Sequence, residues 1–259
     1  MQKAERRPFL SVLSDTNLQL IKTFIAVRDK PRQLLERLEH LTLGYINSSD
    51  QAQYYQEVRA TYNALLPKVD AATFIFLNRT CWNGLYRVNR AGKFNVPHGM
   101  AKGILRMPLE ADVLNASASL ANAEIKAMSW QNCMSSAEPG DFVFADPPYY
   151  SDIRLDDTKY SRMQFSAQSH FELAESLSRL GNRGVDFLLT NSAEPEMVEL
   201  YKNLGFEIER VRVPRFISSK LDSRVSAGEL IVRPAGTIIP HQLFLADELA
   251  DVISTLNDD

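Results

Sequence analysis

The sequence predicts an α/β fold with an inserted lobe, and three observations carry that prediction. From Asn115 onward, short apolar strand candidates alternate with helical patterns. Before Pro67, helical patterns appear without a strand after each one, which suits a lobe better than sheet crossovers. One strand candidate runs straight into Asp146, two prolines and an aromatic, and in an open α/β sheet sites form at the C-terminal ends of strands.

The elements follow in order. Residues 10–13 are a short apolar run ending in Ser14-Asp15, a strand and then a turn. Asp15 or Asn17 can cap a helix over 18–27. Pro31 opens a second helix, with Leu34, Leu35, Leu38 and Leu41 on one face. A third covers about 51–66 and stops at Pro67. Strand candidates lie at 124–128, 142–145, 186–190, 208–213 and 230–232. Helical patterns lie at 170–180 and 194–204, the latter closed by Gly205 just past its end. The sheet is expected to be mostly parallel, and 235–259 to hold a loop and one amphipathic helix.

Composition bounds the function. A chain of 259 residues can bury one large core, or a core plus a lobe, and 45% hydrophobic with 24% charged is ordinary for a globular protein. No apolar run approaches the roughly 20 residues of a membrane helix. The start, MQKAERRPFL, lacks the apolar stretch of a secretion signal. Cys81 and Cys133 have no metal-ligand spacing and are expected as two buried free thiols in a reducing, cytoplasmic setting. His40, His98, His170 and His241 also lack ligand spacing, so no metal is expected. A net charge of −3 excludes a histone-like binder that works on charge alone. Yet residues 71–109 contain no Asp or Glu and carry Arg79, Arg87, Arg90, Lys93, Lys102 and Arg106, a local footprint for phosphate.

The strongest chemical signal is residues 141–150, DFVFADPPYY. Residues before proline are pushed to extended geometry, and prolines lack N–H groups, so their carbonyls are presented on a stiff frame. Asp146 can accept from an amine, a carbonyl near Pro147 can accept a second hydrogen, and Tyr149 can stack on a flat base. An exocyclic amine held in this way has its nitrogen aimed at an electrophilic methyl group. The plain alternative is a tight turn after a buried strand.

Residues 76–99, FLNRTCWNGLYRVNRAGKFNVPHG, form the second block. They closely resemble the "LNR…NGL.R.N..G.FNVP.G" block of Dam-like DNA adenine N6-methyltransferases, and D-P-P-Y resembles that family's catalytic tetrapeptide. Leu13-Ser14-Asp15-Thr16-Asn17 resembles the family's acidic D-x-N after its second strand, and Ile217-Ser218-Ser219 with Glu229-Leu230 its C-terminal strand hairpin. The resemblance spans roughly 9–234.

It implies a Rossmann-like S-adenosylmethionine-dependent methyltransferase sheet with an inserted helical and hairpin target-recognition lobe. The expected divisions are 1–30 for the start of the core, 31–115 for the lobe, 116–234 for the catalytic core and 235–259 for a tail. It implies catalytic roles for Asp146, Pro147, Pro148 and Tyr149, with Tyr160 as a possible cover. Asp15, Ser129, Trp130 and Asp146 would contact the donor, S-adenosylmethionine. On DNA, Arg87 would grip a guanine edge and Trp82 would wedge where the adenine leaves. Asn83 and Leu85 would touch neighbouring bases, with Pro97 packed near them. Arg79, Arg90 and Lys93 would add phosphate and base contacts. Residues 89–92 read as a hairpin tip, and a β-ribbon fits the major groove. The alternative is a Gly-rich hairpin whose tryptophan belongs to the core.

Family members begin with a K-W-x-G-G-K-like segment, then a strand ending in an F-x-G-x-G loop. Nothing between Met1 and Asp15 resembles either, and the first glycine is Gly44. The first strand is therefore expected to be missing, separating the strand before Asp15 from the strand before Asp146, with poor donor binding by this chain alone; a start at an internal methionine or an interrupted reading frame is the expected cause, ahead of a separate chain that completes the fold. The competing readings are a DNA-binding remnant without catalysis, and an enzyme acting on RNA or protein amines. Asp146 speaks against protein-glutamine methylation, which would carry N-P-P-Y, and 94–99 speak against RNA. Arg87 points to a guanine beside the target, as in a GATC-like site; restriction-modification, repair and phage defence all remain open as its use.

Overall fold

Helix starts in this chain are written in short polar side chains, and the computed structural model shows most of them in use. It describes residues 10–68, 70–99, 105–150, 165–213 and 227–236. These fall into two compact units, one ending at Ser136 and the other beginning at Ala137.

In the first unit, β1 (Ser11–Asp15) pairs in parallel with β2 (Ala123–Ala127), Ser11 opposite Ala123 and Asp15 opposite Ala127. Asn17, rather than Asp15, caps α1 (Leu18–Asp29), accepting from the amides of Gln19 and Leu20. Asp15 in turn accepts the Asn17 amide at 2.6 Å. Then come α2 (Pro31–Ile46), α3 (Gln51–Leu65), α4 (Ala71–Thr80), α5 (Glu110–Leu120) and α6 (Trp130–Ser135). The sequence reading missed α4 and α5. The Asp70 side chain accepts the Thr73 amide and starts α4, a cap that stands in the sequence as D-x-x-T.

The core of this unit is helical. Leu34, Leu38, Leu41 and Tyr45 recur every three or four residues along α2 and are buried, while Leu35 is only partly so. They pack with Tyr55 and Tyr62 of α3 and with Phe74, Phe76 and Leu77 of α4. Phe94 and Val96, from the segment after α4, are buried in the same cluster.

The second unit holds β3 (Phe142–Ala145), α7 (Ala167–Asn182), β4 (Asp186–Ser192), α8 (Pro195–Asn203), β5 (Glu207–Val213) and β6 (Ala227–Arg233). Its sheet order is β3-β4-β6-β5. β3 and β4 are parallel, but β6 runs antiparallel to both β4 and β5. The expectation of a mostly parallel sheet is corrected here: β6 inserts between β4 and β5 and runs opposite to both, making the sheet mixed. Leu173, Ala174, Leu177 and Leu180 of α7 are buried, as are the alternating Phe187 and Leu189 of β4. Gly205, at φ 75°, follows α8 as expected.

β1 and β3 lie in separate sheets, and β3 is an edge strand whose Phe144 is 62% exposed. Cys81 is buried; Cys133 is only half-buried, which corrects the expectation of two buried thiols, and both are free. Lys102, Tyr160, Ile217-Ser218-Ser219 and nearly all of 235–259 lie outside the described residues.

Phe76 is fully buried in the helical core. Phe76→Ala should lower unfolding stability by about 3–5 kcal/mol. Leu43→Ala, at a half-exposed position of α2, should change it by no more than about 0.5 kcal/mol, both read from urea unfolding followed by circular dichroism.

Candidate active site and nucleic-acid interface

β3 ends at Ala145, which puts Asp146 at the C-terminal edge of its sheet. Pro147 and Pro148 have no amide hydrogen, so the chain beyond cannot extend a ladder. It is held instead by side chains from the end of β4. Thr190 Oγ1 donates to Asp146 Oδ1 at 2.5 Å. The Tyr150 amide donates to Asn191 Oδ1 at 3.0 Å, and Ser192 Oγ donates to the Tyr150 carbonyl at 2.6 Å. Three consecutive residues of one strand thus fix the segment at its acid and at both backbone groups of Tyr150.

Asn191 is fully buried, and so are His170 and Tyr201. Its amide nitrogen donates to Tyr201 Oη at 2.8 Å and meets His170 Nδ1 at 3.2 Å. Burial pushes the Tyr201 phenol up to about 12, opposed by the Asn191 hydrogen bond. Burial also holds His170 below its ordinary value. Tyr149 is exposed enough to meet a ligand, and its hydroxyl donates to Glu229 Oε2 of β6 at 3.1 Å. Burial raises the Tyr149 phenol, and hydrogen bonding to Thr190 opposes this. One carboxylate oxygen of Asp146 is engaged by Thr190, which leaves the other to accept from an amine. Thr190, Asn191, Ser192 and Glu229 were not identified as site residues from sequence. The readable signal was the polar run Thr-Asn-Ser closing an otherwise apolar strand.

In the first unit, residues 81–99 make an irregular hairpin rather than a continuous ribbon. The strand-like pairs are isolated, Cys81 opposite His98 and Val88 opposite Phe94. The tip forms at 89–92 as expected: the Gly92 amide donates to the Asn89 carbonyl at 2.9 Å, with Gly92 at φ 73°. Asn89 Oδ1 accepts from the amides of Ala91 and Lys93. At the base, a Cβ on Gly99 would lie 2.6 Å from the Cys81 carbonyl oxygen, so only glycine fits there.

The return limb is held by α3. Asn63 makes a two-way contact with Phe94, accepting its amide at 2.8 Å and donating to its carbonyl at 2.9 Å. Arg59 Nη1 and Tyr55 Oη both donate to the Val96 carbonyl, at 2.7 and 2.9 Å. Tyr45 Oη meets His98 Nε2 at 2.7 Å. Four helical residues rise about 6 Å and two extended residues about 6.7 Å, so Arg59 and Asn63, four apart, can serve Val96 and Phe94, two apart.

Trp82 is 49% exposed and Leu85 48%, so the tryptophan does not belong to the core. Asn83 between them sits at φ 52°, a left-handed conformation uncommon outside glycine. Arg79, Arg87, Arg90, Lys93 and Pro97 are exposed on the same unit. Arg87 is not loose: its Nε donates to Asn95 Oδ1 at 2.9 Å and its Nη2 to the Asn95 carbonyl at 3.3 Å.

Asp15 ends β1, and Ser129 and Trp130 follow β2. Because the two strands are parallel and in register, these residues leave the same end of one sheet. Ser129 Oγ caps α6, accepting the Asn132 amide at 3.4 Å. Asp15 accepts from Asn17 through Oδ1 and keeps a second oxygen, an acceptor that fits ribose hydroxyls beside an aromatic face. Among the described residues no group of His, Cys, Asp and Glu could hold a metal ion, and no helix is long and apolar enough to cross a membrane.

Known proteins are similar to this chain in sequence. The family model of D12 class N6 adenine-specific DNA methyltransferases matches residues 3–215. A type II methyltransferase of Lactococcus lactis subsp. cremoris is 32% identical over 243 residues, which cover 90% of this chain and 82% of that protein. A type II methyltransferase of Methanocaldococcus jannaschii is 32% identical over 221 residues, covering 82% of this chain and 75% of its own. A DNA adenine methylase of Salmonella typhi is 29% identical over 222 residues, covering 85% and 77%. The chain belongs to the D12 class of N6 adenine-specific DNA methyltransferases.

The depressed His170 gives a pH signature. Below about pH 6.5 the unfolded chain binds a proton on this histidine that the folded chain does not. The stability is therefore intact above that pH and falls as pH drops toward the folded value. His170→Asn should flatten the decline in unfolding free energy between pH 7 and pH 5; an unchanged slope would show that another group sets it.

Proposed function

We propose that this chain transfers the methyl group of S-adenosylmethionine to N6 of an adenine flipped out of duplex DNA, at a GATC-like site. The observation that carries this reading is the fixed end of β3: Asp146 held by Thr190, the prolines beyond it, and Tyr149 tethered to Glu229. Asp146 accepts one hydrogen of the adenine amine, and a carbonyl of the Pro147-Pro148 frame accepts the other. Together they turn the nitrogen lone pair out of conjugation with the ring. Tyr149 stacks on the flipped base, with its plane set by Glu229. The proton that N6 releases is taken by Asp146.

When bound, S-adenosylmethionine supplies the electrophilic methyl carbon. Asp15 would accept from its ribose hydroxyls, Ser129 and Trp130 would flank its adenine, and Asp146 would touch its reactive side. On the DNA, Trp82 fills the gap left by the flipped base, at a cost of about a few kcal/mol for the flip. Asn83, Leu85 and Pro97 contact neighbouring bases, Arg87 reads a guanine, and Arg79, Arg90 and Lys93 neutralise phosphate. A cytoplasmic setting suits this substrate.

The test is methyl transfer from tritiated donor to a GATC-containing duplex, then digestion with a nuclease blocked by GATC adenine methylation. Wild type should incorporate label and protect the site, at a rate held low by the poor donor binding expected of this chain alone. Asp146→Ala should lose on the order of a hundredfold or more in rate, the scale seen when a preorganised polar contact to the reacting group is removed, with duplex affinity retained. Absence of incorporation by wild type would contradict the proposal, and incorporation without protection would move the site away from GATC.

A further inference from the structure

Arg87 is an exposed arginine on a hairpin, and such a side chain ordinarily samples many rotamers. Here two of its five N–H groups are taken by one residue. Nε donates to Asn95 Oδ1 at 2.9 Å and Nη2 to the Asn95 carbonyl at 3.3 Å. These two donors form one side of the planar guanidinium. The pair at its tip, one hydrogen on each terminal nitrogen, is not used by Asn95. That pair is the fork which matches the O6 and N7 acceptors of a guanine.

Asn95 is itself held. Its amide donates to the Arg87 carbonyl at 3.1 Å, which closes the two limbs of the hairpin on each other. Its neighbours Phe94 and Val96 are buried, and their backbone groups are met by Asn63, Arg59 and Tyr55 of α3. A rigid helix therefore fixes the limb, the limb fixes Asn95, and Asn95 fixes the plane of Arg87.

We propose that Asn95 is a specificity-determining positioning residue, which presents the Arg87 fork to a guanine by gripping the other side of its guanidinium. The proposal rests on the reading of Arg87 as a base-reading residue. Asn95 itself touches no base. Its effect is to remove the ordering cost that a loose arginine would meet on contact with the guanine. The loss on removing Asn95 therefore falls at the one base position that Arg87 reads. Phosphate affinity, set by charge, does not change with it.

The experiment is selection of bound duplexes from a randomised pool by the full chain, followed by sequencing of the enriched pool, which presupposes neither a site nor methyl transfer. It compares wild type with Arg87→Ala, Asn95→Leu and Asn95→Asp, each checked for an unchanged circular dichroism spectrum. Wild type should enrich guanine at a defined position, and Arg87→Ala should abolish that enrichment. Asn95→Leu, branched at the same carbon but without an acceptor, should cut guanine preference there about tenfold and leave other positions and the salt dependence of affinity as they were. Asn95→Asp keeps an acceptor for Nε and should preserve the preference.

If Arg87→Ala enriches guanine like wild type, or wild type enriches none, the reading of Arg87 falls and this proposal with it. If Arg87→Ala loses the preference while Asn95→Leu keeps it, the role of Asn95 alone is overturned. An Asn95→Asp chain that folds and loses the preference overturns it as well. A uniform loss across all positions in Asn95→Leu assigns Asn95 to hairpin stability, which also overturns it.

Discussion

A backbone that leaves regular secondary structure still carries its N–H and C=O groups, and where it passes near the core those groups must find partners. Both functional segments of this methyltransferase meet that constraint with side chains. After β3, two prolines end the ladder, and Asn191 and Ser192 take up the backbone of Tyr150. After α4, an irregular hairpin has only isolated pairs, and Asn63, Arg59 and Tyr55 take up the backbone of Phe94 and Val96. Asn191, Ser192 and Tyr55 are buried, Arg59 and Asn63 partly so, and each gives its polar group to the segment.

The arrangement separates what must be stiff from what must be exposed. Trp82, Leu85, Arg87 and Tyr149 stay accessible, because the rigid contacts are made by residues beside them. Asn83 adds local strain, held in a left-handed conformation between two exposed apolar side chains. Strain of this kind persists only where the flanking structure over-determines it, and the Trp82 amide bonded to the Pro97 carbonyl at 3.0 Å is part of that flank. A segment built in this way would lose little freedom on meeting a ligand.

The chemistry was more legible in the sequence than the support beneath it. D-P-P-Y and the block over 76–99 point to a polymer and a reaction through their joint resemblance to a family, since alone each also suits a tight turn or a Gly-rich hairpin. Alternation of strands and helices announced the fold class. Asn63 was harder to read: on an amphipathic helix a polar residue four positions from an arginine looks like solvated surface, and only the packed limb shows what it serves. Thr190, Asn191 and Ser192 hid for a related reason, since a polar triplet after an apolar run reads as the end of a strand. Helix α4 was masked by its place at the head of the acid-free basic stretch 71–109, although Asp70 and Thr73 mark its start. The antiparallel turn of β6 depended on pairing partners, which no local pattern encodes.

Amide hydrogen exchange tests most directly the claim that side chains hold both segments. The Phe94 and Tyr150 amides donate to Asn63 and Asn191, not to a strand ladder. Both should exchange slowly in the wild-type chain. Asn63→Ala should speed Phe94 alone, and Asn191→Ala should speed Tyr150 alone, while amides in the centres of α2 and β4 keep their protection. Exchange of the two wild-type amides at the rate of open loop, or protection that survives both substitutions in folded protein, would contradict the account.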